Sequence, residues 1–340
     1  MTPLMRVVAA VLSCVLAYGL ATAGTDTPQD KPASAPATAR STTEAGKLLE
    51  AASQLTQKDP AAAEKLYEQV ALRYPGSPVA TQAMWRISQI CHQRKDADAE
   101  LRWLEKCAAT DPIPRDTWGE NGGYARPASI ERLAHVYFAK RQWKTALKWA
   151  QAMEVYGWCG NGAAAIQASQ KYLIAACQLR LGQTAEAMAT IEPQALDGKC
   201  RDINGYDYRC MILLCDYARE NGKLDELEAR LKKNPWKEEY ARPSAPMRGS
   251  QVGLDYIELT RMVDRKDPAV IDKIKSVLKW EEPWQLRQAY SRLLARMGSK
   301  EALAVMDAWL KQGYYFEWDR EYVEAALAEA ATRPATQPAQ

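Results

Sequence analysis

The chain has 340 residues, 45 of them basic and 42 acidic, and 47% of it is hydrophobic. Near-balanced charge, with no basic run interleaved with aromatics and no acidic tail, argues against a nucleic-acid partner. The apolar content suffices for a sizeable core or a continuous series of small ones, and segments rich in Ala, Leu, Glu, Lys, Arg and Gln predict an all-α protein.

At the start, Arg6 is the only charge ahead of an apolar run from Val7 to Leu20, and Ala21-Thr22-Ala23 then supplies a small-x-small motif. This predicts a secretory signal peptide over 1–23, cleaved after Ala23, and a periplasmic or secreted mature chain. The run is too short for a comfortable membrane span, and no later segment is long and apolar enough for one. A second reading takes Val11-Leu12-Ser13-Cys14 as a loose lipobox with Cys14 as the lipid-bearing residue. Against it, the apolar run continues past Cys14, where a lipoprotein would turn polar.

Residues 24–43 are rich in Pro, Ala, Thr and Ser and hold no apolar side chain larger than alanine. Such a segment cannot offset the entropy of ordering, so a disordered linker is expected. The tail 332–340 has the same composition and the same expectation.

From 44 to 235 the chain repeats itself. Leu133-Ala134-x-x-Tyr137 lies on one expected helix, and Ala146 on the next. Small residues at 134 and 146 permit close helix–helix approach, while Leu133 and Tyr137 fill the space between units. Ala63, Tyr67 and Pro75 form the second half of an earlier unit, and Ala99 and Trp103 repeat the Ala/aromatic pair 36 residues later. Ala175, Gly182 and Ala187 give a fourth unit, and Gly222, 40 residues after Gly182, marks a fifth.

Those positions resemble the tetratricopeptide-repeat consensus. The junction Tyr74-Pro75-Gly76-Ser77-Pro78-Val79-Ala80 looks like the one in periplasmic tetratricopeptide proteins, including Tol-Pal-associated coordinators and outer-membrane-assembly lipoproteins. Pro75 stops one helix, and Pro78 opens the next at the position where a missing N–H is harmless. The resemblance implies a right-handed α-solenoid of helical hairpins. It also implies a concave face, built chiefly from first helices, that would expose Met84, Ser88, His92, Glu131, His135, Tyr172 and Asp216 to a protein or peptide ligand. The Lys/Asn clamp of carboxylate-tail receptors is missing from these positions. Over 236–331 the style changes: Leu294-Ala295-x-x-Gly298-x-x-Glu301-Ala302-Leu303 is similar to a HEAT-type hairpin, with a degenerate tetratricopeptide as the alternative.

Few residues invite chemistry. His92 and His135 are the two histidines, and neither accompanies a nucleophile motif; both are expected on the solvated inner face. Seven cysteines follow the leader, none spaced as C-x-x-C, so neither a metal site nor a cofactor site is expected. Cys91, Cys107, Cys177 and Cys215 fall within helices and are expected as small buried apolar groups. Cys159 and Cys200 fall in equivalent connections of successive hairpins, which makes them a candidate disulfide in an oxidising compartment.

Eleven Trp and 16 Tyr stand against 2 Phe, and several cluster in connections or beside acids, as at Trp280-Glu281-Glu282-Pro283-Trp284. Aromatics with a polar handle suit either glycan contact or the plugging of gaps between irregular repeats. The expected function is therefore a non-enzymatic exported adaptor that holds a protein or peptide in its groove. Polysaccharide or peptidoglycan binding through loop Trp and Tyr is one alternative. An all-α envelope enzyme is the other.

Overall fold

The computed structural model describes residues 43–112, 124–154, 160–196, 206–234, 250–277, 284–311, 323–324 and 327–328. The expected signal peptide with Cys14, the expected linker up to residue 42, the expected disordered tail and the pair Cys159 and Cys200 lie outside the described residues. Within them the protein is all-α: fourteen helices can be bounded, and no strand occurs among the described residues.

The helices come as consecutive hairpins. α1 (Glu44–Leu55) pairs with α2 (Pro60–Arg73), α3 (Pro78–Gln93) with α4 (Ala97–Ala108), and α5 (Ala125–Ala139) with α6 (Trp143–Ala152). α7 (Gly160–Arg180) pairs with α8 (Thr184–Ala195), and α9 (Tyr206–Glu220) with α10 (Leu224–Lys233). α11 (Ser250–Asp264) and α12 (Ala269–Val277), then α13 (Trp284–Met297) and α14 (Lys300–Lys311), complete the order.

Local chemistry sets the starts. Thr43, Asp59, Ser77 and Asp96 each accept a hydrogen bond from the backbone N–H three residues on, at 3.0–3.2 Å. Each such cap is worth about 1 kcal/mol. Pro60 and Pro78 occupy the first turn of their helices, where no donor is lost.

From α1 to α12 each helix packs on the next in sequence, as α13 does on α14, and the odd-numbered helices also pack on one another from α1 through α13. That places odd helices in one layer and even helices in another, a pattern consistent with the expected solenoid of stacked hairpins. The apolar interior is serial. One cluster around Tyr67 and Ile87 joins α1 to α4, a second around Leu104 and Leu133 joins α4 to α7, and a third continues from Ala175 to Val323.

One turn recurs in five hairpins. Lys95, Arg141, Gly182, Gly222 and Lys266 all have positive φ, between 57° and 77°. In each turn the following N–H bonds back to the carbonyl four residues before the left-handed residue: Asp96 to Cys91, Gln142 to Tyr137, Gln183 to Gln178, Lys223 to Ala218 and Asp267 to Met262. This is the Schellman closure of a helix C-terminus, and it aligns the hairpins residue by residue. Seven positions before the left-handed residue stand Ser88, Ala134, Ala175, Cys215 and Leu259, all 2% exposed or less. Five positions after it stand Glu100, Ala146, Ala187, Leu227 and Ile271, all buried.

The alignment moves one expectation. Ala99 is buried, but Trp103 is only half-buried; the fully buried residue on that helix is Leu104, and Glu100 holds the column that Ala146 holds elsewhere. The expected Ala99/Trp103 pair was therefore one residue out of step. Ala134 and Ala146, by contrast, are both fully buried, as close approach of α5 and α6 requires.

Candidate functional site

The odd-helix layer carries a cavity of about 690 Å³. Helices α5, α7, α9 and α13 line it, with Trp143 and Thr184 contributed by the even helices α6 and α8. Its apolar floor includes Leu173, Ala176 and Leu213, and aromatic faces come from Phe138, Trp143, Tyr172 and Tyr217. Five arginines, Arg141, Arg180, Arg209, Arg292 and Arg296, line the same space against two carboxylates, Asp216 and Glu220.

Tyr172 on α7 organises one wall. The Arg209 guanidinium lies over its ring with 5.4 Å between guanidinium carbon and ring centroid, a cation–π contact. Arg292 from α13 lies close enough to Tyr172 for the two to interact electrostatically. Phe138 packs on the same tyrosine at 6.2 Å between centroids and on Trp143 at 5.2 Å, nearly edge-on. The ring is thus packed by Phe138 and Arg209 while it lines the cavity.

Asp216 on α9 is anchored from below. Tyr256 donates its hydroxyl proton to Asp216 Oδ1 at 2.9 Å, and Arg296 Nη1 lies 4.0 Å from the same oxygen. Arg296 also reaches Asp264 at 2.9 Å, and Arg219 bonds Asp264 through Nε and Nη2. Burial raises the Asp264 pKa, but Arg219 and Arg296 outweigh it and hold the carboxylate below its usual range. This chain of charges ties α9, α11 and α13 together along the cavity rim.

His135 on α5 lies at the opposite end, with Nε2 3.4 Å from Ser169 Oγ. Burial first, then the positive charges of Arg209 and Arg132, push its pKa from the ordinary 6.5 down to about 3. The expectation of a solvated histidine is corrected here: the ring is half-buried and neutral, because protonation would add charge beside two guanidinium groups.

Of the seven residues expected on the ligand face, His135, Tyr172 and Asp216 come together in this cavity. Glu131 and Met84 are half-buried outside its lining. Ser88 is corrected outright: it is 2% exposed and donates its hydroxyl proton to the Trp85 carbonyl at 2.7 Å. The recurrent turn supplies the reason. Ser88 occupies the same place as Ala134, Ala175 and Cys215, the small buried position where stacked helices meet. Met84, Ser88 and His92 stand one residue, about 100° of helix, away from the places occupied by Glu131, His135, Tyr172 and Asp216.

His92, accordingly, turns toward the neighbouring helices. Its Nδ1 is 3.0 Å from Glu100 Oε2 and 2.9 Å from Arg132 Nη2, while Arg132 Nε donates to Glu100 Oε1 at 2.8 Å. Nδ1 serves one of these two partners at a time, as donor to the carboxylate or acceptor from the guanidinium. Burial pushes the Glu100 pKa up, but hydrogen bonds from His92 and Arg132 more than reverse this and keep it ionised below the usual range. The cluster joins α3, α4 and α5, and both carboxylate oxygens are engaged.

Cys91, Cys107, Cys177 and Cys215 are buried free thiols, and burial raises all four pKa values, to about 12 for Cys107 and Cys177. Cys210, on α9, is buried as well. Among the described residues no cluster of His, Cys, Asp and Glu is arranged to hold a metal ion, and no helix is long and apolar enough to cross a membrane.

The cavity arginines were not singled out by sequence reasoning. Arg141 is itself a left-handed turn residue, Arg180 ends α7, and Arg292 belongs to a hairpin far along the chain. Only the packing of α13 on α9 and α11 brings these into one space. No protein-family model, no curated protein and no solved structure matches the chain.

Proposed function

We propose that the chain is an exported, non-enzymatic adaptor of tetratricopeptide-like hairpins whose odd-helix face holds a segment of another protein. The observation that carries this reading is the cavity itself: apolar floor, aromatic faces and arginines sit together on the one layer where first helices stack. Support for the tetratricopeptide relationship comes from the repeated turn, the column of small buried residues through Ala134 and Ala175, and the proline-bracketed junction from Tyr74 to Val79. The cavity's volume suits a short stretch of peptide, since sites of roughly 300–1,000 Å³ enclose ligands of that size. Export rests on the leader-like first 23 residues.

Chemical crosslinking in the native cell envelope, followed by peptide mapping, tests the proposal. A protein partner joined to peptides from α5, α7, α9 or α13 is the expected result. Crosslinks confined to even helices, or a partner that is glycan and contains no polypeptide, would overturn it.

A further inference from the structure

We infer that the partner segment is acidic, and that Arg180 and Arg292 receive its carboxylates while Tyr172, Phe138 and Trp143 take the side chains between them. This inference rests on the adaptor reading and names the chemistry of its ligand.

Charge is the first ground. The whole chain carries a formal charge of only +3, yet the cavity alone sets five arginines against two carboxylates. A concave surface focuses such an excess, because low-dielectric walls confine the field. Residue type is the second ground. Guanidinium groups bind carboxylates through a planar two-pronged fork, and they also stack on aromatic rings, as Arg209 does on Tyr172 at 5.4 Å.

Distribution is the third ground, and it selects a peptide over a compact polyanion. The arginines come from α7, α9, α13 and the α5–α6 turn, with ring faces between them. They belong to four separate segments of the chain, and Asp216 and Glu220 share the space, where they would repel a dense cluster of negative charge. Separate single charges with apolar or aromatic spacing fit this arrangement. Three of the arginines, Arg141, Arg180 and Arg292, are exposed and line the cavity, positioned for an incoming group.

The test uses the folded mature chain and a tetraglutamate peptide, acetylated and amidated so that only side chains carry charge. Its tetraglutamine counterpart, inorganic phosphate and trigalacturonate serve as comparators. His135 is one of two histidines, so its imidazole signals give a site-specific readout by NMR. Tetraglutamate is expected to shift the His135 signals, to raise its pKa, and to bind more tightly than each comparator, with affinity falling as salt rises. Arg292→Ala and Arg180→Ala are each expected to weaken that binding roughly tenfold, the scale of one charge-assisted hydrogen bond. Arg180 is an exposed residue at the end of its helix, so its replacement leaves the core intact even where the Arg292 variant folds poorly. Tetraglutamine shifting His135 equally, phosphate or trigalacturonate binding more tightly, or both variants binding tetraglutamate unchanged would each overturn the inference. If envelope crosslinking still yields a protein on the odd-helix face while tetraglutamate fails, the acidic chemistry falls and the adaptor stands. If crosslinking fails while tetraglutamate binds, the adaptor falls and the anion site stands.

Discussion

Lys95 and Gly182 hold the same backbone conformation, φ 61° and 77°, at the same point of the same turn in two hairpins of the stack. One is a residue that resists this conformation and the other is the residue best suited to it. Replacing Lys95 with glycine is therefore expected to stabilise the protein by about 1 kcal/mol. Gly182→Ala is expected to cost a similar amount from the backbone alone, since a methyl group there meets nothing within 4 Å. Lys266→Gly should gain less, because Lys266 Nζ caps the carbonyls of Arg296 and Met297, each at 3.2 Å. Denaturant midpoints at constant slope check all three; a destabilised Lys95→Gly variant would refute the shared turn.

The same turn explains what could and could not be read from the sequence. Gly182 and Gly222 announce left-handed closures, and the hairpins around them were placed correctly. Lys95 announces nothing, so α3 and α4 were read one residue out of step, with Ser88 turned outward and Ala99 set where Glu100 belongs. Ala134 and Ala146 were legible because close approach demands small side chains in a recognisable pattern. The cavity was not, because its arginines lie on helices far apart in the chain and no local pattern ties Arg292 to Tyr172.

Overpacking tests that helix contact. Ala134 and Ala146 are both fully buried, and Leu at either place is expected to destabilise by about 1–3 kcal/mol. Unchanged thermal midpoints for both variants would show that α5 and α6 do not meet through these residues.

His135 makes stability depend on pH. Its folded pKa is depressed to about 3, while the unfolded value is 6.5. The stabilisation is thus complete above 6.5 and is lost as pH falls toward 3, because the unfolded chain takes up a proton that the folded chain resists. His135→Gln is expected to flatten the stability profile across that window. Direct NMR titration giving His135 a pKa at or above 6.5 would contradict the buried positive environment.

The most direct measurement places a photo-crosslinking benzoylphenylalanine at Tyr217, in the cavity, or at Lys144, on even helix α6, in the native cell envelope. Irradiation is expected to join a polypeptide to the chain from position 217 and not from position 144. No polypeptide adduct at 217, or equal adducts at both positions, would mean that the odd-helix cavity is not where this protein holds its partner.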